Sequence, residues 1–261
     1  MTKELPAVTY DLEDDVALVG FNRPEKSNAI NEEVRTHLLS AVMRANKEAK
    51  CGILYGRGKH FCAGRDLRAA AESWERDSPE RNNYQAHLDP REFIGRGNVP
   101  FIAAMQGATL GGGLETACAC HIRVADETAF FGLPEALRGI YLGGGGSVRI
   151  ARVLGFPRMQ DMMLTGRTLG AEEGERYGLV NYVVPAGQAL AKARELAAKI
   201  VKNAPLSNYV IINGLPRIDD MSHNDGMFFE MMLAHYTRSP DSVDRMTQFV
   251  DKTVPPMRKP D

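Results

Sequence analysis

The sequence predicts an α/β protein with a helical C-terminal part, and three observations support this prediction. Short apolar runs bounded by glycine, proline or acidic turns recur through the first two thirds of the chain, as expected of β-strands. Helical periodicity follows several of these runs. After Pro157 the composition becomes mainly helix-forming. Strand-rich units followed by helices are typical of an α/β body with a helical C-terminal segment.

The first strands and the first helix are readable at the start of the chain. "AVTYDLEDDVALVGFNRP" contains two β-rich runs split by an acidic turn, and "CGILYG" is a short apolar strand that ends in glycine. Between them, "NEEVRTHLLSAVMRANKEAK" predicts a helix with Asn31 as its N-cap. Its apolar positions share one helical stripe: Val34, Leu38, Ala41, Val42 and Ala45.

The middle of the chain repeats this plan after a polar interruption. Residues 69–96 are polar and predict a mobile loop between two short helices, with Trp74 packed at its start. "VPFIAAMQG" is then a strand, a glycine run opens a helix, and "HIRVAD" is another strand. The stretches after Pro157 are helical, and one carries an apolar stripe of core or interface type: Met227, Phe228, Met231 and Met232.

Length, charge and cysteine content exclude several classes of protein. The chain has 261 residues, which fit one large domain or one domain with an appendage, and a net charge of −1 that recruits neither nucleic acid nor anionic lipid. No stretch approaches the roughly 20 apolar residues of a membrane span, and "MTKELPAVTY" does not resemble a signal peptide. The four cysteines lack zinc-type spacing, so we expect reduced thiols, no metal and a cytoplasmic location.

Two glycine-containing segments predict backbone donors for a reacting oxygen. In "GGGLE" (111–115) the glycines open a helix, whose first N–H groups have no internal partner, and Glu115 lies within about one turn of them. "GKHFCAGRDLR" (58–68) offers the N–H of Arg65 before a helix that starts near Asp66. Such donors stabilise an oxygen that becomes negative during a reaction. An ordinary glycine turn before a helix explains the first segment equally well.

A third glycine run, "GGGG" at 143–146, does not match a nucleotide-binding motif. No Lys-Ser/Thr pair follows it, and no strand–Gly-x-Gly-x-x-Gly–helix arrangement surrounds it. We expect a helix N-terminus there, capped by Ser147 or a glycine.

Taken together, these segments resemble the crotonase (enoyl-CoA hydratase/isomerase) superfamily over nearly the whole chain. The matching pieces occur in the family's order and include "NRPEKSNAIN", "GKHFCAGRDL", "ATLGGGLETA" and "FFGLPEALRGI". The resemblance implies a spiral of repeated ββα units over residues 1–200. It also implies a helical trimerisation segment over 201–261, in a homotrimer or a dimer of trimers.

The resemblance also implies the site. The N–H groups of Arg65 and Gly112 would bind a thioester oxygen, and Glu115 and Glu135 would act as acid and base. CoA would enter as part of an acyl-CoA substrate, without a separate cofactor. The remaining residues of the implied CoA site are Lys26, Ala63, Asp66, Leu67 and Arg68.

The implied activity is the addition of water to a 2-enoyl-CoA, as in fatty acid metabolism. The alternatives are another acyl-CoA reaction (double-bond isomerisation, an aromatic hydratase-lyase reaction or thioester hydrolysis) and a non-catalytic binding protein. Phe130, Phe131 and Tyr141 suit either an aromatic acyl group or the core. The chain departs from the family pattern at Arg65, at residues 139–150 and in the loop after Trp74, so the acyl group stays open, as does which glutamate is charged at rest.

Overall fold

The computed structural model describes residues 5–76 and 89–254, with the side chains of residues 73–76 outside that description. The chain divides into two compact units between Val201 and Lys202. The first unit is α/β and the second is helical, as the sequence predicts.

Nine strands occur in the described residues. In chain order they are β1 (Val8–Glu13), β2 (Val16–Phe21), β3 (Cys51–Gly56), β4 (Phe101–Met105), β5 (Ala108–Leu110), β6 (Ile122–Asp126), β7 (Phe130–Gly132), β8 (Thr168–Gly170) and β9 (Tyr182–Val184). Six strands form one sheet in the order β1-β2-β3-β4-β6-β9, parallel except between β1 and β2. The other three form a small sheet in the order β5-β7-β8.

The helices lie mostly after strands in the first unit and fill the second. Those of the first unit are α1 (Glu32–Glu48), α2 (Leu67–Arg76), α3 (Pro90–Gly95), α4 (Gly112–Ala117), α5 (Gly146–Leu154), α6 (Phe156–Thr165), α7 (Ala171–Arg176) and α8 (Ala189–Ile200). Those of the second unit are α9 (Pro205–Ile218), α10 (His223–Tyr236) and α11 (Pro240–Val250). Single 3₁₀ turns occupy Pro24–Lys26 and Ala136–Arg138.

The large sheet separates two apolar layers. Along β2, side chains alternate between them, since Val19 packs in the layer that contains the buried stripe of α1, and Leu18 packs in the layer that contains α8. Asn31 caps α1, because its side chain accepts a hydrogen bond from the Val34 N–H at 2.9 Å. All five predicted stripe residues of α1 are buried.

Three successive passes of the chain have the same order: a strand of the large sheet, an extended segment in the small sheet, then a helical turn. The extended segments lie side by side, because Cys62 pairs in parallel with Thr109 and Thr109 pairs in parallel with Phe131. Each helical turn therefore starts at the same end of the small sheet. The repeat brings together segments that are far apart in the sequence.

The structure corrects two expectations from the sequence. The region after Pro157 also contains β8 and β9, and α11 was not predicted. Of the two interpretations of the apolar stripe of α10, core is wrong, since Met227, Phe228, Met231 and Met232 are each more than half exposed, and interface stays a prediction. The two short helices around the polar segment are confirmed as α2 and α3. The predicted loop over 77–88 and the packing of Trp74 lie outside the described residues.

Candidate active site

The two segments predicted to supply backbone donors lie next to each other. The Leu110 N–H donates to the Cys62 carbonyl at 3.0 Å, and the Cys62 N–H donates to the Ala108 carbonyl at 3.1 Å. Cys62 pairs in parallel with Thr109, and Arg65 and Gly112 each follow their member of this pair by three residues. A Cβ built on Gly112 would lie 3.7 Å from the Arg65 nitrogen. The two N–H groups are thus neighbours at one end of the small sheet.

Two glycines are required for this approach. Gly64 has a φ of +91°, and a Cβ there would lie 2.7 Å from the Leu110 carbonyl oxygen. Gly111 has a φ of +48°, and a Cβ there would lie 2.6 Å from Oε1 of Glu135. Both positions have a backbone conformation that favours glycine, and at Gly64 the contact with a backbone oxygen also excludes a side chain. The glycine pattern seen in the sequence therefore reflects close packing around the donors.

Glu115 lies in the first turn of α4 and is buried, with 4% of its surface exposed. Its Oε1 accepts hydrogen bonds from the N–H groups of Gly144 at 2.8 Å and Gly146 at 2.9 Å. Its Oε2 accepts from Nη1 of Arg91 at 3.3 Å. These three donors all favour the ionised form, because a carboxylate only accepts hydrogen bonds.

Glu135 is buried in a different environment. It has 7% of its surface exposed, and its Oε2 finds no hydrogen-bond partner within the described residues. Burial, together with the negative charge of Glu115, raises the pKa of Glu135 above its usual value. The backbone N–H of Glu135 opposes this effect without cancelling it. The structure thus places two buried carboxyls close together in unlike surroundings.

Arg91, which contacts Glu115, is itself held by Asp89 at the start of α3. Nη2 of Arg91 donates to Asp89 Oδ2 at 2.6 Å, and Nε donates to Asp89 Oδ1 at 2.8 Å. Burial raises the pKa of Asp89, but its hydrogen bonds with Arg91 outweigh burial and the pKa is lowered overall. On α5, Arg149 donates to the Gly144 carbonyl at 2.9 Å and pairs with Glu92, which steadies the glycine loop that binds Glu115.

The segment of the predicted CoA site is joined to the 3₁₀ turn that contains Lys26. The Ala63 N–H donates to the Ser27 carbonyl at 2.9 Å, and the Ile30 N–H donates to the Gly64 carbonyl at 2.7 Å. Lys26 is exposed, as are Leu67 and Arg68, while Ala63 is half-buried.

Asp66 has structural partners that the sequence did not predict. Its Oδ1 accepts from the Ala69 N–H at 3.3 Å at the start of α2, and its Oδ2 pairs with Arg23 at 3.2 Å. These contacts join the first turn of α2 to the segment before α1.

A cavity of about 190 Å³ opens beside the Arg65 segment. Its lining is apolar between two cationic side chains and consists of Arg65, Leu67, Ala70, Ala71, Arg138 and Ile140. Phe131 is fully buried in the core, whereas Phe130 and Tyr141 are exposed at 36% and 69%. None of these three aromatic residues lines that cavity.

The sequence missed the groups that surround Glu115. Arg91 lies in α3, one of the two short helices predicted around the polar loop, and Asp89 caps that helix, but the only signal at this point was an Asp-Pro helix start. The run at 143–146 was correctly predicted to open a helix with a glycine cap, Gly145, but not to bind a carboxylate. Within the described ranges no three His, Cys, Asp or Glu side chains group as metal ligands, and no helix is long and apolar enough to cross a membrane.

Comparison with known proteins gives one consistent result. Residues 11–259 match the family model described as enoyl-CoA hydratase/isomerase. The chain is 35% identical over 91% of both chains to the enoyl-CoA hydratase EchA19 of Mycobacterium tuberculosis. Among solved structures, an enoyl-CoA hydratase from Bacillus anthracis covers 94% of this chain and 96% of its own, at 29% identity and a TM-score of 0.86. A relative from Rhodopseudomonas palustris is 36% identical over 95% of both chains, with a TM-score of 0.86.

Proposed function

Because the chain belongs to the enoyl-CoA hydratase/isomerase family, and its relatives are named as enoyl-CoA hydratases, which are hydro-lyases, we propose that it adds water across the 2,3 double bond of a 2-enoyl-CoA. One observation carries the proposal: two buried carboxyls in unlike surroundings lie beside two adjacent backbone N–H groups. Hydration needs a base for water, an acid for the α carbon, and donors for the thioester oxygen.

The thioester oxygen would accept hydrogen bonds from the N–H groups of Arg65 and Gly112. Neighbouring strands lie about 4.8 Å apart, so one oxygen about 2.9 Å from each nitrogen can accept both. As water attacks the β carbon, negative charge moves onto this oxygen. Donors already in place stabilise that charge, and losing one such donor in comparable sites costs about 10²–10³ in kcat.

The protons would move between the substrate and the two carboxyls. Glu115, ionised by its three donors, takes a proton from the water whose oxygen attacks the β carbon. Glu135, whose pKa is raised, donates a proton to the α carbon. Each turnover leaves Glu115 protonated and Glu135 ionised, and one proton transfer from Glu115 to Glu135 restores both. Their unlike surroundings support this division of roles.

The binding residues follow from the same assignment. We assign the CoA part to Lys26 and the segment Ala63–Arg68, and the acyl group to the cavity beside Arg65. CoA arrives with the substrate, so no separate cofactor is involved. The exposed apolar stripe of α10 supports a homotrimer or a dimer of trimers, and the four buried free thiols fit a reducing cytoplasm.

The test is hydration of a short 2-enoyl-CoA by the wild type, Glu115→Gln and Glu135→Gln. We expect each variant to lose most activity, about 10²-fold or more, because each loses one proton-transfer group. CoA binding, measured by calorimetry, is the control and should survive in both. Full activity in either variant would refute the mechanism.

A panel of acyl-CoA substrates read by mass spectrometry separates the alternative reactions. Hydration adds one water to the substrate, isomerisation leaves its mass unchanged, and hydrolysis releases free CoA. An aromatic hydratase-lyase would release an aldehyde in addition. Turnover without added water would replace the proposed reaction with one of these.

A further inference from the structure

Glu115 has room for one more hydrogen bond and no more. A carboxylate offers about four acceptor positions, two on each oxygen. Gly144 and Gly146 occupy both positions on Oε1, and Arg91 occupies one on Oε2. Oε2 also lies on the side of Gly112, since a Cβ on that glycine would be 3.9 Å from it. The remaining position on Oε2 is therefore the one available to a water beside the donor pair.

Arg91 is fixed well enough to control this geometry. Its side chain is 16% exposed, and Asp89 binds its Nε, its Nη2 and its backbone N–H. Only Nη1 is directed to Glu115. Because a guanidinium is planar, fixing Nε and Nη2 also fixes the direction of Nη1. The contact with Oε2 thus does not depend on a freely rotating side chain.

From this arrangement, and resting on the proposed hydratase reaction, we propose that Arg91 is a positioning residue that keeps Glu115 ionised and leaves one Oε2 acceptor position for the water. Arg91 thereby settles which carboxyl is the base. Without it, two carboxylates close together in a buried site would repel each other, and a proton on either one would relieve that repulsion. Glu115 would then be protonated in part of the molecules and unable to accept a proton from water.

Other charged and titratable groups near Glu115 do not replace Arg91. The thiol pKa values of Cys62 and Cys118 are raised by burial to about 12 and about 11, so both thiols stay neutral. Arg149 reaches the carbonyl of Gly144 rather than the carboxylate. The groups that face this site from the surrounding elements are Arg65, Asp89, Arg91, Glu92, Glu135, Arg149, Cys62 and Cys118.

The test compares Arg91→Gln and Arg91→Lys with the wild type. Arg96→Gln is the matched control, because Arg96 follows α3 directly, is 66% exposed and pairs only with Glu92 among the described residues, at 3.8 Å. The first readout is the protonation of Glu115 in the resting enzyme, followed by isotope-edited infrared spectroscopy across pH. The band is assigned by its loss in Glu115→Gln. This readout needs no turnover, so it separates failure of this proposal from failure of the hydratase assignment.

In Arg91→Gln we expect Glu115 to become protonated at a higher pH than in the wild type, because a nearby opposite charge is lost. The acid limb of the kcat/KM profile should move to higher pH in the same way. Arg91→Lys keeps the positive charge, so the pH at which Glu115 becomes protonated should return most of the way to that of the wild type. It should not restore the full kcat, because an ammonium does not fix the direction of its contact.

Either of two results would overturn the proposal. One is a Glu115 titration in Arg91→Gln that matches the wild type and Arg96→Gln. The other is a profile of kcat/KM against pH that becomes lower without shifting along the pH axis, since that is the effect of a merely structural residue. If Arg91→Gln does not fold, Arg91→Lys alone decides: a fully wild-type kcat there excludes positioning by Arg91.

Discussion

Replacing Gly111 with alanine separates the chemistry of the site from its stability. The added Cβ would lie 2.6 Å from Oε1 of Glu135, whereas ordinary contact begins at 3.4 Å, so the carboxyl must retreat by about 0.8 Å. That retreat is inexpensive in free energy, because Oε1 is the end of a side chain that can rotate. It moves a proposed acid away from its substrate, and a misplacement of about 1 Å can cost about 10²-fold in rate.

The stability cost of the same change comes from the backbone. Alanine at a φ of +48° is strained by about 1–3 kcal/mol. In a chain of about this size, each kcal/mol lowers the Tm by about 2–4 °C. Gly187→Ala is the control, since Gly187 has a φ of +79° and a Cβ there would touch nothing within 4 Å. It should lose stability of a similar order and keep full activity.

The assays are thermal unfolding by circular dichroism and the hydration rate at saturating 2-enoyl-CoA, well below the Tm. We expect Gly111→Ala to lose about 10²-fold in kcat while it remains folded at the assay temperature. Equal activities of Gly111→Ala and Gly187→Ala would refute the reasoning. Such a result would mean that the position of the Glu135 carboxyl does not matter for turnover.

Three further predictions follow from contacts elsewhere in the structure. Asp66→Ala should lose about 0.5–2 kcal/mol of stability, because it removes the side-chain cap at the start of α2 and the pair with Arg23, and an unchanged Tm would contradict this. Glu135→Gln should be more stable than the wild type above the raised folded-state pKa of Glu135, because burial penalises the native carboxylate there. This advantage should shrink as the pH falls through that pKa. A difference in Tm that is independent of pH would show that the buried charge is not its cause. Cys62 and Cys118 should resist alkylation by iodoacetamide at pH 8 until the protein is denatured, since burial raises their pKa to about 12 and about 11. Mass spectrometry of the native protein after treatment checks this, and rapid labelling of either thiol would contradict it.

The reacting groups could be found from the sequence because each breaks a local rule. Glu115 and Glu135 are carboxylates among apolar and small residues, and the glycines precede helical turns. Arg91 could not be found in this way, because an arginine in a polar segment is ordinary and its partner Glu115 lies 24 residues further on. The partnership exists only once α3 packs beside the glycine loop.

The small sheet was missed for a different reason. Strands of three residues are too short to show a period of two, and an isolated bridge such as that of Cys62 leaves no local pattern at all. Their pairing depends on residues 20 or more positions apart. The sequence could therefore predict that the donors of Arg65 and Gly112 exist, but their adjacency is a property of the folded chain.

The parallel register of the small sheet has a consequence for how the chain tolerates insertions and deletions. From Cys62 to Arg65 and from Thr109 to Gly112 the spacing is three residues, and from Phe131 to Glu135 it is four. Removing one residue from any of these spacers would displace a reacting group by about 3.3 Å, against a tolerance of about 0.5 Å for a functional site. Length in these three connections is therefore constrained as well as the identity of Gly64 and Gly111, although a change of length in a connecting segment is usually harmless.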